Sequence, residues 1–120
     1  MNRKLRFRTH KYGAKKTRID GITFDSLAEA NYYHELKLLQ RAGIVTDFEL
    51  QPKFELIPSY THPETGRKIR ATYYIADFRV TYADGRQEII DVKGVRTEAY
   101  KLKKRLFEYK YNIPIKEVGA

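Results

Sequence analysis

Two runs rich in β-branched and aromatic residues, 73–82 and 87–93, flank Ala83-Asp84-Gly85. This hairpin signal constrains the chain most, because a short turn leaves few registers and a one-residue slip sends every side chain to the opposite face. A two-residue Asp84-Gly85 turn pairs Ala83 with Arg86 and sets Asp77 opposite Val92. A three-residue loop with Gly85 left-handed pairs Tyr82 with Arg86; Asp77 then faces Asp91, and Ile75 faces Lys93. Burial favours the second register. It collects Tyr74, Ala76, Phe78, Val80, Ile90 and Val92 on one apolar face, and leaves Asp77, Asp91 and Lys93 on the other beside Ile75 and Ile89. The first register would mix Asp91 and Lys93 with the apolar set.

Like charges opposite one another weaken a sheet. Two carboxylates about 5 Å apart repel by roughly 3 kcal/mol at an effective dielectric near 20. A shared proton, a cation, or Lys93 alone must offset this. Mg²⁺ suits the position, since it prefers oxygen ligands and needs few carboxylates. Upstream, Ser26 fits a helix N-cap, Glu29 completes a capping box and Gly43 fits the stop. Tyr32, Tyr33, Leu36 and Leu39 form one stripe of that helix, with Glu29 at its N-terminal end, tilted toward the core. Glu29 therefore reads either as a cap or as a further oxygen donor. Asp91 and Lys93, two apart on a strand, also read as an ordinary salt bridge.

Around these elements, residues 45–50 and 54–57 read as strands and 60–66 as an exposed loop. A second helix is expected over 98–111, capped by Thr97 and stopped near Asn112, with Ala99, Leu102, Leu106 and Tyr109 buried. A short strand over 113–118 completes an α/β (α+β) domain. Residues 1–18 hold eight basic residues and no acid, which reads as a flexible arm ahead of a single domain over 19–120.

The whole chain carries 24 Lys+Arg against 15 Asp+Glu, a formal charge of +9, which points to a polyanion such as DNA. Lack of cysteine excludes disulfides, thiolate metal sites and thiol nucleophiles. His10, His34 and His62 are too scattered for an imidazole cage. No apolar run approaches the roughly 18 residues needed to span a bilayer, so no membrane role is expected. The basic start lacks the apolar stretch of a signal peptide, so a cytoplasmic location is expected.

Tyr74-Ile75-Ala76-Asp77-Phe78 followed by Ile89-Ile90-Asp91-Val92-Lys93-Gly94, with Ser26-Leu27-Ala28-Glu29-Ala30 upstream, resembles the signature of the PD-(D/E)xK nuclease superfamily. From Lys11 to Val118 the chain is similar to a small phage- and prophage-encoded family of endonuclease-like proteins. Ala76 stands where the signature's name has proline, a variable position. The resemblance implies a restriction-endonuclease-like α-β-β-β-α-β core with a mixed central sheet, Mg²⁺ or Mn²⁺, and phosphodiester hydrolysis, in host-cell cytoplasm if phage-encoded. Asp77 and Asp91 are the expected principal ligands, and Glu29 a direct or water-mediated one. The Val92 carbonyl is a further ligand by resemblance.

Lys93 is expected to orient the nucleophile or stabilise transition-state charge. Lys103 borders the buried stripe of the second helix, within reach of the site or a phosphate, and Gln51 is expected to line the cleft. Arg8, Lys11, Lys15, Lys16, Lys101 and Lys104 are candidate phosphate contacts. A symmetric homodimer would supply two sites for two strands. The rival reading is a noncatalytic nucleic-acid-binding module, which accounts for the charge but not for acids amid basic surroundings.

Overall fold

The Ser26 hydroxyl accepts from the Glu29 amide at 3.0 Å and opens helix α1, Leu27–Arg41. Gly43, at φ +80°, follows the helix end. Glu29 makes the reciprocal bond to the amide of Asp25, not of Ser26, at 3.0 Å. The computed structural model describes residues 16–119. Before α1, strands β1 (Thr17–Ile19) and β2 (Ile22–Phe24) pair antiparallel through Asp20-Gly21. Both turn residues have positive φ, 54° and 76°, as a type I′ hairpin turn requires. Strand β1 thus begins inside the segment 1–18 that was expected to be an arm. Arg8, Lys11 and Lys15, with most of that arm, lie outside the described residues.

After α1 come β3 (Val45–Leu50), β4 (Lys53–Ile57), β5 (Tyr60–Thr61), β6 (Lys68–Ile69), β7 (Thr72–Ile75), β8 (Phe78–Tyr82), β9 (Gln87–Lys93), α2 (Glu98–Tyr111) and β10 (Ile115–Gly119). The three-residue loop is the one formed: Tyr82 donates to the Arg86 carbonyl at 2.8 Å, and Gly85 has φ +90°. Four strands make a mixed sheet in the order β10-β9-β8-β3, with β10 parallel to β9 and the other pairs antiparallel. Within it the chain order is helix, three strands, helix, strand, an α+β architecture. Helix α2 fills the crossover that a parallel pair demands, running from the Thr97 cap to Asn112 at φ 58°.

The expected strand 73–82 breaks at Ala76-Asp77. β3 and β4 pair with β8 and β7 in one register across this break (Leu50 with Phe78, Lys53 with Ile75), so the four segments form one antiparallel ribbon that bends. Gln51 sits at the bend with φ +50°, costing about 1–2 kcal/mol for a residue with a Cβ. The Gln51 amide donates to the Asp77 carbonyl at 3.0 Å, and the Ala76 amide to the Pro52 carbonyl at 3.1 Å.

The bend also divides the core. Phe78, Val80 and Ile90 pack with Val92 against Ala30, Tyr33 and Leu36 of α1. Tyr74 and Ala76, expected on that face, join Ile89 and Phe54 against Tyr100 and Phe107 of α2. Each fully buried large side chain is worth about 1.5–3 kcal/mol. The buried stripe of α2 is also turned from expectation: Ala99, Leu102 and Tyr109 are exposed, because Tyr100 and Phe107 offer larger surfaces to the aromatic cluster of Phe54, Tyr74 and Tyr111. Residues 60–66 contain β5, which pairs with β6 to close a second hairpin, where a plain loop was expected.

Candidate active site

Beyond Ile90 the ribbon leaves β9, while β10 pairs with it as far as Lys93. Backbone groups of β9 are thereby freed on one edge, and side chains fill the gap. The Val92 amide donates to Asp77 Oδ2 at 2.7 Å, and the Asp77 amide donates to Asp91 Oδ1 at 3.1 Å. A residue's carbonyl points to the same strand edge as its amide, so Val92 turns its carbonyl toward Asp77 as well. The Tyr74 hydroxyl donates to Asp91 Oδ2. Glu29, in the first turn of α1, brings its carboxyl close enough to Asp77 to perturb it. The result is a chain Glu29–Asp77–Asp91–Tyr74 drawn from a helix, a ribbon bend and two strands. Glu29 and Asp91 are 7 % and 1 % exposed.

Such a chain is electrostatically costly. Burial, then the neighbouring Glu29 carboxyl, pushes Asp77 up to about 7, although the Val92 amide pulls the other way. Burial and the Asp77 charge push Asp91 up to about 6 against the opposing pull of the Tyr74 hydroxyl and Lys93. Burial and the Asp91 carboxylate raise the Tyr74 phenol well above its ordinary range. Folding has therefore gathered acids where water would solvate them better, which is characteristic of functional sites.

Lys93 makes no ion pair with these acids among the described residues. Its Nζ lies 4.3 Å from the centroid of the Tyr100 ring. The Tyr100 hydroxyl donates to Glu117 Oε2 at 2.7 Å, and Glu117 also accepts from Arg96 at 2.8 Å and Lys104 at 3.3 Å. The Tyr100 hydroxyl, followed by Arg96, holds the Glu117 carboxyl down at about 2. Tyr100 is thus a fixed platform beneath a cation that remains available to a ligand.

Gln51 lines a cleft of about 180 Å³ with Glu29, Asp77, Leu50 and the hairpin residues Ile22 and Thr23. At roughly 30 Å³ per water, this admits about six waters, enough for a hydrated cation and a phosphate oxygen. Three oxygen-bearing acids and a strand carbonyl are a donor set for a hard cation. Their arrangement is pairwise: among the described residues no three acids or imidazoles are gathered around a single point. Asp77 sits between Glu29 and Asp91; Glu29 and Asp77 line the cleft, whereas Asp91 is buried behind them.

The remaining candidates lie apart from this centre. Lys103 is half-buried on α2 with no hydrogen bond or ion pair to the three acids. Lys16 pairs with Asp25 at 3.1 Å, Lys101 with Glu98 at 3.0 Å, and Lys104 with Glu117 at 3.3 Å. Sequence reasoning missed Tyr74, Tyr100 and Glu117. Tyr74 was assigned to the wrong face because the bend was not foreseen, and Glu117 joins the network only through the parallel register that sets it beside Asp91. The β1–β2 hairpin did carry a signal, Asp20-Gly21 between two isoleucines.

Residues 9–117 match a family model described as a protein of unknown function (DUF1064). No curated protein and no solved structure matches the chain.

Proposed function

The chain belongs to the DUF1064 family, and from its own site we propose that it is a metal-dependent endonuclease that hydrolyses phosphodiester bonds in DNA. The observation that carries this reading is the Glu29–Asp77–Asp91 chain, with Glu29 and Asp91 buried, beside a Lys93 that makes no ion pair among the described residues, in a protein of net charge +9. A module that only bound nucleic acid would gain nothing from acids repelling phosphate at a cleft.

The proposed roles follow from the donors. Asp77 and Asp91 would hold Mg²⁺, or Mn²⁺ in its place, through lone pairs left over beside their amide and phenol bonds. Glu29 and the Val92 carbonyl complete the protein's oxygen donors. Bound there, a divalent cation would supply Lewis-acid activation of water and of a phosphoryl oxygen. Lys93, steadied by Tyr100 without being neutralised, offers its ammonium to the attacking water or to the charge that builds on phosphorus oxygens. Gln51 and the β1–β2 hairpin wall the cleft.

This reading places the chain with the PD-(D/E)xK nucleases in DNA processing, recombination or replication, on duplex or branched substrates. Incubation of supercoiled plasmid and of a four-way junction with and without Mg²⁺ tests it; cleavage that requires the metal is expected. One observation favours the noncatalytic alternative: Asp77 and Asp91 both satisfy backbone amides, which is also a structural duty. DNA binding without cleavage in either Mg²⁺ or Mn²⁺ would decide for that alternative.

A further inference from the structure

Beyond the bend at Gln51 and Asp77, β4 and β7 continue away from the central sheet and lead into the β5–β6 hairpin. From Ile57 to Arg70 nearly every residue is exposed, with Ile57 at 41 % and Tyr60 at 49 %. Between Ile57 and the turn at 63–65 the chain carries only the two-residue strand β5, paired with β6 on the way back. The tip keeps its shape by local bonds alone. His62 donates its amide to the Arg67 carbonyl at 2.8 Å, and its Nδ1 accepts from the Glu64 and Thr65 amides at 3.2 Å each.

A protrusion this exposed adds little to the core, so its preorganised tip calls for a partner. Its charge names the chemistry: Arg67, Lys68 and Arg70 face one acid, Glu64, and none of the three cations forms an ion pair among the described residues. A second copy of this chain would bring like charges together.

We propose that the ribbon of residues 57–72 is a duplex-DNA clamp that enters the major groove and delivers the backbone to the cleft at its base. The proposal rests on the nuclease reading for that delivery, but its binding claim stands apart. A B-form major groove, about 12 Å wide, admits a two-stranded ribbon, whereas the deep, narrow major groove of A-form RNA does not. Asp77 lies two residues beyond the end of β7, so a duplex held by the ribbon is held relative to the acids.

The test measures binding of the full chain in EDTA, by fluorescence anisotropy, to a 20-base-pair DNA duplex, its single strand and the same sequence as duplex RNA. Replacing Arg67, Lys68 and Arg70 by glutamine should weaken DNA-duplex binding by at least about tenfold and flatten the slope of log affinity against log salt by roughly 2–3. A charge-matched control that replaces Lys37, Arg41 and Arg105 should weaken it less, and the melting temperature of both variants should match wild type. Equal losses in ribbon and control variants, or equal losses on single strand or duplex RNA, would overturn the proposal. So would a wild-type dimer that the ribbon substitutions dissociate without DNA, which would make the ribbon a self-association surface. Wild type that binds duplex through the ribbon but cleaves nothing in Mg²⁺ would sink the nuclease reading and leave the clamp standing.

Discussion

Asp77→Asn separates the structural duty of Asp77 from its chemical one. The asparagine carbonyl oxygen can still accept from the Val92 amide, now held at 2.7 Å by Oδ2, while its NH₂ group becomes a donor toward the Glu29 carboxyl. An acid–acid contact is thereby replaced by an amide–acid hydrogen bond. Because burial and Glu29 raise Asp77 to about 7, the wild-type fold favours the protonated form. That contribution is complete below the unfolded value near 4 and is lost as pH rises through about 7.

At pH 8 without metal, the wild type therefore carries an ionisation penalty of roughly 2–4 kcal/mol, at about 1.4 kcal/mol per pKa unit, that the asparagine variant escapes. Urea denaturation at constant ionic strength should find Asp77→Asn more stable than wild type at pH 8 and about equal to it at pH 4, with DNA cleavage abolished. Asp77→Ala, which orphans the Val92 amide, should instead lose about 1–3 kcal/mol. An asparagine variant less stable than wild type at pH 8 would refute the reasoning, since the carboxylate charge would then serve the fold.

Glu29→Gln keeps an acceptor for the Asp25 amide and removes the charge that raises Asp77, so it should be at least as stable as wild type at pH 8, while losing most cleavage. Full activity would leave Glu29 a cap alone. Tyr100→Phe preserves the ring under Lys93 and should retain more cleavage than Tyr100→Leu, which removes it; equal cleavage by the two variants would show that the ring does not position the ammonium. Removing residues 1–15 deletes basic residues from the N-terminal segment and leaves Thr17–Ile19 in place, so it should weaken DNA binding and reduce its salt slope. An unchanged slope would show that these cations make no phosphate contact.

Both helices were legible because their ends are written in local chemistry: Ser26 with Gly43, and Thr97 with Asn112. The hairpin register was legible because Gly85 and the apolar alternation agree, and that register alone brings Asp77 beside Asp91. The bend was not legible. Residues 73–82 look like one strand, and their break depends on Gln51 and Pro52 across the ribbon, twenty-five residues away in sequence. Missing it moved Tyr74 and Ala76 to the wrong face and hid the phenol that bonds Asp91. The buried stripe of α2 was misplaced for a related reason, since helical spacing fits Leu102 and Leu106 as well as Tyr100 and Phe107. Only the aromatic cluster formed by Phe54 and Tyr74 distinguishes them.

Cleavage started by metal alone is the most direct test that the acid chain is a catalytic centre. A labelled DNA duplex bound to excess protein in EDTA is mixed with Mg²⁺ beyond the chelator at pH 8, and the product strand is followed in a single turnover. Wild type should stay silent in EDTA and cut after Mg²⁺ is added, while Asp77→Asn, bound equally well, should not cut. Cutting in EDTA, or cutting by Asp77→Asn at the wild-type rate, would contradict the account.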